Sequence, residues 1–470
     1  MTEVMAWVAD ELRGVQLGDK RLQQRQARLL SAFYQACQAS IPTACTGWEE
    51  IKGAYRFFDH DAVTLETVIA PHLTATTQRV AAVPVAILPQ DTTELDFSQG
   101  RVAPHLGPLN VAARVGWFLH LSAAFTPERV CLGVVGLEVW TRDPDDPHKN
   151  DRRKHVPISE KESRRWLTGY QRACAVAVAA PTTQIVSVAD REGDIYELFL
   201  DAAQAPAGRR ADWVIRACQD RSLPEKVPGT AQTYQKLWAR VAEAPVRGEV
   251  TYELSARGGR TARRVRQSVQ AAVVTLRPPY RPETQLAAVT IHAVLLQELA
   301  PPAGEEPITW LLLTSLPVDT WEAVRFVVDC YLCRWQIECL FKVLKSGCRV
   351  EKLQLATPAR VLPCLGLYLI VAWRVLYLTM LGRACPALPC TVVFSDAEWK
   401  AVYSIHTRGR PPASPPPLGE MVKTVACQGS YVGRAGDGDP GIVSIWTGLQ
   451  RAMDYARAWE AFGPESKTYG

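Results

Sequence analysis

One stretch of this chain restricts its fold more than any other: residues 361–381 are almost wholly apolar. Such a segment must leave water, either across a bilayer or into the middle of a protein. It is long enough to span, but Arg374 lies inside it and Pro363 near its start. An arginine at the centre of a bilayer costs about 3 kcal/mol or more. A buried core helix is therefore the expectation, with no membrane partner. The remaining sequence must pack around it, and 470 residues suffice for about two to three domains.

Composition closes other routes. The N-terminus has no basic segment followed by an apolar one, so no signal peptide is expected. Thirteen cysteines, an odd number without framework spacing, fit reduced thiols in a cytosol. Cys330, Cys333, Cys339 and Cys348 invite a zinc reading. No histidine is interleaved and the segment has helical periodicity, so they read as small core residues instead. A net charge of +5 is no global basic signal, and any nucleic-acid surface must be local.

Residues 1–70 read as helical, with Leu22, Leu29, Leu30 and Phe33 at helical spacing among Lys20, Arg21, Arg25 and Arg28. That basic face suits DNA, or simply solvent. From about residue 83 the pattern turns to strands: 83–88 leading into Asp91, then 117–125, 130–140 and 184–189, the last ending at Asp190. Strands ending in carboxylates and mixed with helices indicate an α/β domain. Residues 222–300 read as a mostly β insertion with strands at 250–254, 269–276 and 288–296. It carries Arg257, Arg260, Arg263, Arg264 and Arg266. Residues 310–315 read as a buried strand, 321–347 as one long helix, and 361–381 and 442–462 as helices flanking a proline-rich loop at 408–419.

On the helix from Trp321, Tyr331, Arg334, Glu338 and Lys345 fall within an arc of about 60°. Lys342 and Arg349 lie beside them. One carboxylate among cations is either a solvated stripe or a working surface. Asp91 and Asp190 at strand ends favour the second, because three converging carboxylates repel one another unless a divalent cation sits among them. Their hard oxygen donors suit Mg²⁺ or Mn²⁺. Two such ions roughly 3.5–4 Å apart would activate an attacking oxygen and stabilise a leaving one. Asp194 competes with Asp190 as a ligand, but Asp190 directly ends the apolar strand.

Asp91 with Thr92 and Thr93, the run from Asp190 to Ile195, and Tyr331, Arg334, Glu338 and Lys345 at their spacings resemble the signature of DDE transposases of the insertion-sequence-four group. Further likeness lies in 17–21, 53–57, 143–147, 161–163, 310–315, 445–446 and 459–461. The resemblance implies an RNase H-like catalytic core with a β insertion, flanked by an N-terminal helical DNA-binding domain and a C-terminal helical dimerisation domain. The boundaries it suggests are 1–72, 73–370 and 371–470. It implies Asp91, Asp190 and Glu338 as catalytic metal ligands, and Arg56, Tyr331, Arg334, Lys342, Lys345, Arg263 and Arg264 as DNA contacts. Trp310 would stack a flipped base, or else be a plain core tryptophan. Phe341 stands where the group often carries histidine. The implied function is cut-and-paste transposition by a homodimer in the bacterial cytosol, associated with the nucleoid. It would act on inverted-repeat ends and target DNA, with cleavage via a hairpin. A nuclease without transposition and an inactive DNA-binding relic are the alternatives. Trp446, Leu449, Met453, Ala456 and residues 459–462 form a stripe read as the dimer interface, with burial in their own subunit as the alternative.

Overall fold

The computed structural model describes residues 3–45, 47–111, 113–144, 158–206, 210–227, 233–254, 262–281, 285–434 and 436–463. Arg257, Arg260 and residues 145–147 lie outside the described residues. Five helices come first: α1 (Ala6–Glu11), α2 (Lys20–Gln35), α3 (Ile41–Ala44), α4 (Trp48–Phe58) and α5 (Leu65–Ala81). Then follow β1 (Val85–Asp96), β2 (Gly116–Phe125), β3 (Cys131–Trp140), α6 (Arg164–Ala179), β4 (Gln184–Ala189), α7 (Tyr196–Gln204) and β5 (Asp212–Arg216). The next segment holds β6 (Ser222–Lys226), β7 (Tyr234–Lys236), α8 (Leu237–Ala242), β8 (Val246–Leu254), β9 (Arg263–Leu276), β10 (Val289–Glu298) and β11 (Thr309–Thr314). Helices α9 (Trp321–Cys333), α10 (Trp335–Lys342), α11 (Pro358–Ala384), α12 (Asp396–Thr407), α13 (Leu418–Gln428) and α14 (Ile442–Phe462) complete it.

Nine strands form one sheet in the order β3-β2-β1-β4-β5-β11-β10-β9-β8. β1, β4 and β5 are parallel, and β2 and β3 extend one edge antiparallel. This is the α/β architecture expected. The β insertion is no separate layer: β11 pairs with both β5 and β10, so β8–β10 extend the other edge. An exposed β5 edge would be a template for aggregation; β11 covers it, and the insertion strands extend the sheet beyond β11. β1 also runs past the expected 83–88 to Asp96, because β2 pairs with it throughout that extension.

Strand residues alternate between the two faces. Ile87, Val186, Val188 and Val214 face a core shared with α2, α4, α5, α9–α11 and α14. Ala86, Leu88, Ile185 and Ile215 face a second core with α6 and α7. The apolar 361–381 run lies in α11, at the centre of the first core: Val361, Leu365, Leu369 and Leu376 are fully buried. Arg374 is 7% exposed, donates to the Val393 carbonyl at 3.2 Å and lies over the Trp7 and Tyr377 rings. The core-helix expectation holds.

The chain ends are bolted to this layer. Glu11 of α1 accepts from His72 and Arg79 of α5, and His72 Nε2 accepts from the Val134 amide of β3 at 3.0 Å. Burial alone would raise the Glu11 carboxyl, but the His72 and Arg79 bonds hold it below the usual range. α5 and α11 pack together, and the boundaries at 72/73 and 370/371 fall inside those two helices.

The tail departs from the interface expectation. Trp446, Leu449, Met453 and Ala456 are buried in their own chain. α13 and α14 cross so closely that a Cβ at Gly448 would sit 1.9 Å from the Val425 carbonyl oxygen. The stripe is core as far as Ala456, while its last members, 459–462, are half-buried or exposed, Phe462 at 88%, and Val443 faces outward at 46%. α12 and α13 were not anticipated from sequence.

If α11 is the core helix, Leu369→Ala lowers unfolding free energy by about 2–5 kcal/mol in a urea titration. A change within experimental error would place this helix elsewhere.

Candidate active site

In the parallel pair of β1 and β4, Pro89 stands opposite Val188. Asp91 follows two residues on within β1, and Asp190 comes just past the end of β4, near enough for its charge to act on Asp91. Asp91 shares the parity of Ile87, so it points to the face that carries α9 and α10. Asp91 lies within β1 rather than at its end. Asp190 caps a 3-10 turn, its Oδ1 accepting from the Glu192 amide at 2.9 Å.

α10 packs against β1 and brings Glu338 to the same place. The guanidinium of Arg334 bridges the two elements: Nη1 donates to Asp91 Oδ2 at 2.9 Å and Nη2 to Glu338 Oε1 at 3.0 Å. Asp91, Arg334 and Glu338 side chains are 17%, 15% and 27% exposed. Burial lifts the Asp91 carboxyl to about 6; Arg334 opposes this, and the charges of Asp190 and Glu338 add to it. One guanidinium can touch both acids, so they lie within reach of a common cation. As they stand, with Arg334 between them, no three acidic, histidine or cysteine groups among the described residues converge closely enough to hold a metal. The donor chemistry, three carboxylates, fits a hard divalent ion once Arg334 withdraws.

Asp194 is removed from competition. Its Oδ2 accepts from the Cys218 and Gln219 amides at 2.8 and 2.9 Å, and its Oδ1 from Arg221 Nε and Nη2 at 3.1 and 2.5 Å. All four bonds are local to that buried corner.

The long helix expected at 321–347 is three pieces. It breaks at Arg334 between α9 and α10, then widens into a π turn at Val343–Gly347, closed by Cys348 N donating to the Val343 carbonyl at 2.7 Å. The π turn rotates Lys345 off the 100° progression. Its Nζ donates to the Glu94 carbonyl at 2.8 Å and lies 3.4 Å from Glu351. Lys342 is exposed, and Phe341 is buried. An open groove of about 420 Å³ runs over Asp91, Thr92, Thr93, Glu338, Lys342 and Lys345.

The other candidates divide. Trp310, half-buried at the start of β11, and Tyr331 on α9 meet edge to face at 5.3 Å between ring centroids. Arg56 is exposed on α4, one turn from Lys52 and two from Trp48, which is 72% exposed. Arg263 is held by Glu298, whose carboxylate also accepts from the Ile308 amide, and by Glu305. That makes Arg263 a strut of the sheet edge. Arg264, on the opposite face, is exposed.

Sequence reasoning missed three features. Arg216, at the end of β5, shares the parity of Val214, and its guanidinium lies 5.9 Å from the Trp310 ring; a strand ending in arginine could have flagged it. Tyr252 of β8 stacks on Trp310 at 5.2 Å, and no sequence pattern shows that pairing across two intervening strands. Behind the acids, on the second face, Arg165 Nε donates to Thr92 Oγ1 at 2.9 Å and Nη2 reaches Glu192. Thr92 Oγ1 meets His120 Nδ1, and His120 Nε2 meets Gln90 Oε1. Burial, then Arg165 and Arg172, push the His120 ring down to about 3, so it stays neutral and can take only one proton-donor role. This network ties the residues on either side of Asp91 to the turn that carries Asp190.

Three family profiles match the chain: "Transposase DNA-binding" over residues 4–63, "Transposase DDE domain" over 201–372 and "Transposase Tn5 dimerisation domain" over 370–461. The DDE match includes Glu338 but begins after Asp91 and Asp190. Similar curated proteins include the putative transposase InsL of insertion sequence IS186 and the transposase of IS421, both from Escherichia coli. Each is 52% identical over 48 residues, 10% of this chain and 13% of the relative. The chain thus matches about an eighth of those relatives' length. A piggyBac transposase synaptic complex with hairpin DNA aligns at a TM-score of 0.33 and 10% identity, over 85% of this chain and 58% of that one. A likeness so distant carries no weight.

Because Asp91 binds its proton more tightly in the folded state than near its ordinary 3.8, its contribution to stability is present at low pH. It is lost as pH rises through about 6. Asp91→Asn should therefore stabilise the metal-free protein more at about pH 8 than at about pH 4, by up to about 3 kcal/mol. Equal effects at both pH values would contradict the buried, like-charged environment.

Proposed function

The chain belongs to the DDE transposases, with that family's DNA-binding, DDE and Tn5-type dimerisation regions in order, and from this we propose that it is a cut-and-paste DNA transposase. The observation that carries the reading is Asp91 on β1 with Asp190, just past the end of the adjacent parallel strand β4, and Glu338 of α10 both close enough for their charges to act on it. Asp91, Asp190 and Glu338 would hold Mg²⁺ or Mn²⁺, as two ions. When bound, these supply Lewis acidity at the scissile phosphate and lower the pKa of an attacking water or 3′-hydroxyl.

The chain's own residues do the rest. Lys342, exposed at the groove, and Lys345 on its wall contact backbone phosphates of the cut strand. Arg334, released from Asp91 and Glu338, carries its charge to a phosphate oxygen in a two-pronged contact that suits a guanidinium. Tyr331 and Trp310 form an aromatic wall beside the acids, suited to a base turned out of the helix as the end folds into a hairpin. The Arg165–Thr92–His120 network keeps the Asp91 and Asp190 segments in place.

Residues 1–72, with Arg56 on the exposed ridge of α4, bind the inverted repeats; 73–370 cut and join; and 371–470 support pairing of two subunits. Pairing uses outward residues of the tail, those at 459–462 included, since the stripe from Trp446 to Ala456 is committed to the core. The protein would act in the bacterial cytosol on chromosomal DNA. A nuclease lacking strand transfer shares the acidic centre, and joining of a cut 3′ end to target DNA separates the two.

Asp91→Ala, Asp190→Ala and Glu338→Ala should each abolish Mg²⁺-dependent cleavage of a transposon end while leaving end binding largely intact. Near wild-type cutting by any one of them would overturn the ligand assignment. Arg56→Ala should weaken end binding and lower the log–log salt slope by roughly 0.9. An unchanged slope in a binding titration would remove Arg56 from the interface.

A further inference from the structure

We propose that Tyr252 is a placeholder for a nucleobase: it occupies the seat on Trp310 in the DNA-free protein and yields it to an unstacked base of bound DNA. This rests on the DNA-processing reading above and adds a residue which that reading does not use.

The seat is built by the sheet. Tyr252, Trp310 and Arg216 share parity with Val250, Leu312 and Val214, so all three lie on the face that carries Asp91. The Tyr252 and Trp310 rings are stacked, with centroids 5.2 Å apart and planes inclined by 20°. Tyr331 meets the Trp310 ring edge-on, and the Arg216 guanidinium lies 5.9 Å from the same indole. Two aromatic walls and a cation are the surroundings a base uses. At 5.2 Å the two rings leave no room for a third between them. A base can take the Trp310 face only by displacing Tyr252.

Tyr252 is poorly anchored for that position. Its hydroxyl is buried and has no hydrogen-bond partner among the described residues. A buried hydroxyl without a partner is a net penalty, and leaving the seat returns it to water. Stacking therefore holds Tyr252 in place while its polar end opposes it. A flat base offers Trp310 the same stacking and removes that opposition. The tyrosine thus keeps the indole covered without holding it as tightly as a phenylalanine would.

Two substitutions separate this from a structural role. The full chain is titrated without divalent metal with a 20-base-pair duplex carrying one extrahelical 2-aminopurine. The same duplex without the bulge is the reference. The readout is the ratio of the two affinities, together with quenching of the 2-aminopurine. Tyr252→Ala empties the seat and should raise the preference for the bulged duplex by about five-fold or more. Tyr252→Phe keeps the ring and removes the unpaired hydroxyl. It should raise the melting temperature and lower that preference. Trp310→Ala should abolish the preference and the quenching. A preference unmoved or lowered by Tyr252→Ala, while wild type binds both duplexes, overturns the placeholder role alone. A wild-type chain that binds neither duplex overturns the DNA reading and the placeholder with it.

Discussion

Two carboxylates held close together by neighbouring parallel strands repel each other, and this protein is arranged around that repulsion. The parallel pairing of β1 with β4 brings Asp91 and Asp190, which follows the last residue of β4, close enough for their charges to interact. α10 then adds Glu338 rather than a neutral residue. The folded chain answers with Arg334, whose guanidinium satisfies Asp91 and Glu338 together. The Asp91 carboxyl is still raised to about 6, so one arginine does not cancel burial and two neighbouring charges. A site whose charge remains under-compensated is suited to gaining a cation. It is also suited to handing its arginine to an anion such as a phosphate.

The helical layer makes that arrangement rigid. α11 fills the core under the sheet, α5 and α2 pack on it, and the tail packs beside it. Both chain ends reach the segment that follows Glu338. The ring of Trp446 lies so near Gly347 that a Cβ there would be 3.2 Å away, and Cys37 Sγ meets the Gly347 carbonyl. The π turn that places Lys345 is thus clamped between the N-terminal helices and the tail. The regions matched by the DNA-binding, DDE and dimerisation profiles share one core in this fold.

Much of this was legible from local pattern. The strand at 184–189 ending in Asp190 and the stripe of Tyr331, Arg334 and Glu338 needed only period 2 and period 3.6. The buried α11 helix followed from the apolar run at 361–381 with Arg374 inside it and Pro363 near its start. What was not legible depends on tertiary partners. The extension of β1 past Leu88 needs β2, and the break at Arg334 with the π turn replaced one regular helix by three pieces. The stripe on α14 has the same periodicity whether it faces a second subunit or its own core. Only α13 and its close crossing at Gly448 decide for the core. Arg263 looked like an outward cation because its acid partners, Glu298 and Glu305, lie 35 and 42 residues away. Tyr252 and Arg216 join the site only through sheet order.

Iron-directed cleavage of the polypeptide tests the three-carboxylate centre most directly. With Fe²⁺ in place of Mg²⁺ on the DNA-bound protein, ascorbate and peroxide generate radicals at the metal and cut the nearby backbone. Cuts should cluster at Asp91, Asp190 and Glu338, three places far apart in sequence, and excess Mg²⁺ should suppress all three together. Cuts missing from any one of them, or unaffected by Mg²⁺, would contradict a single metal centre built from these residues.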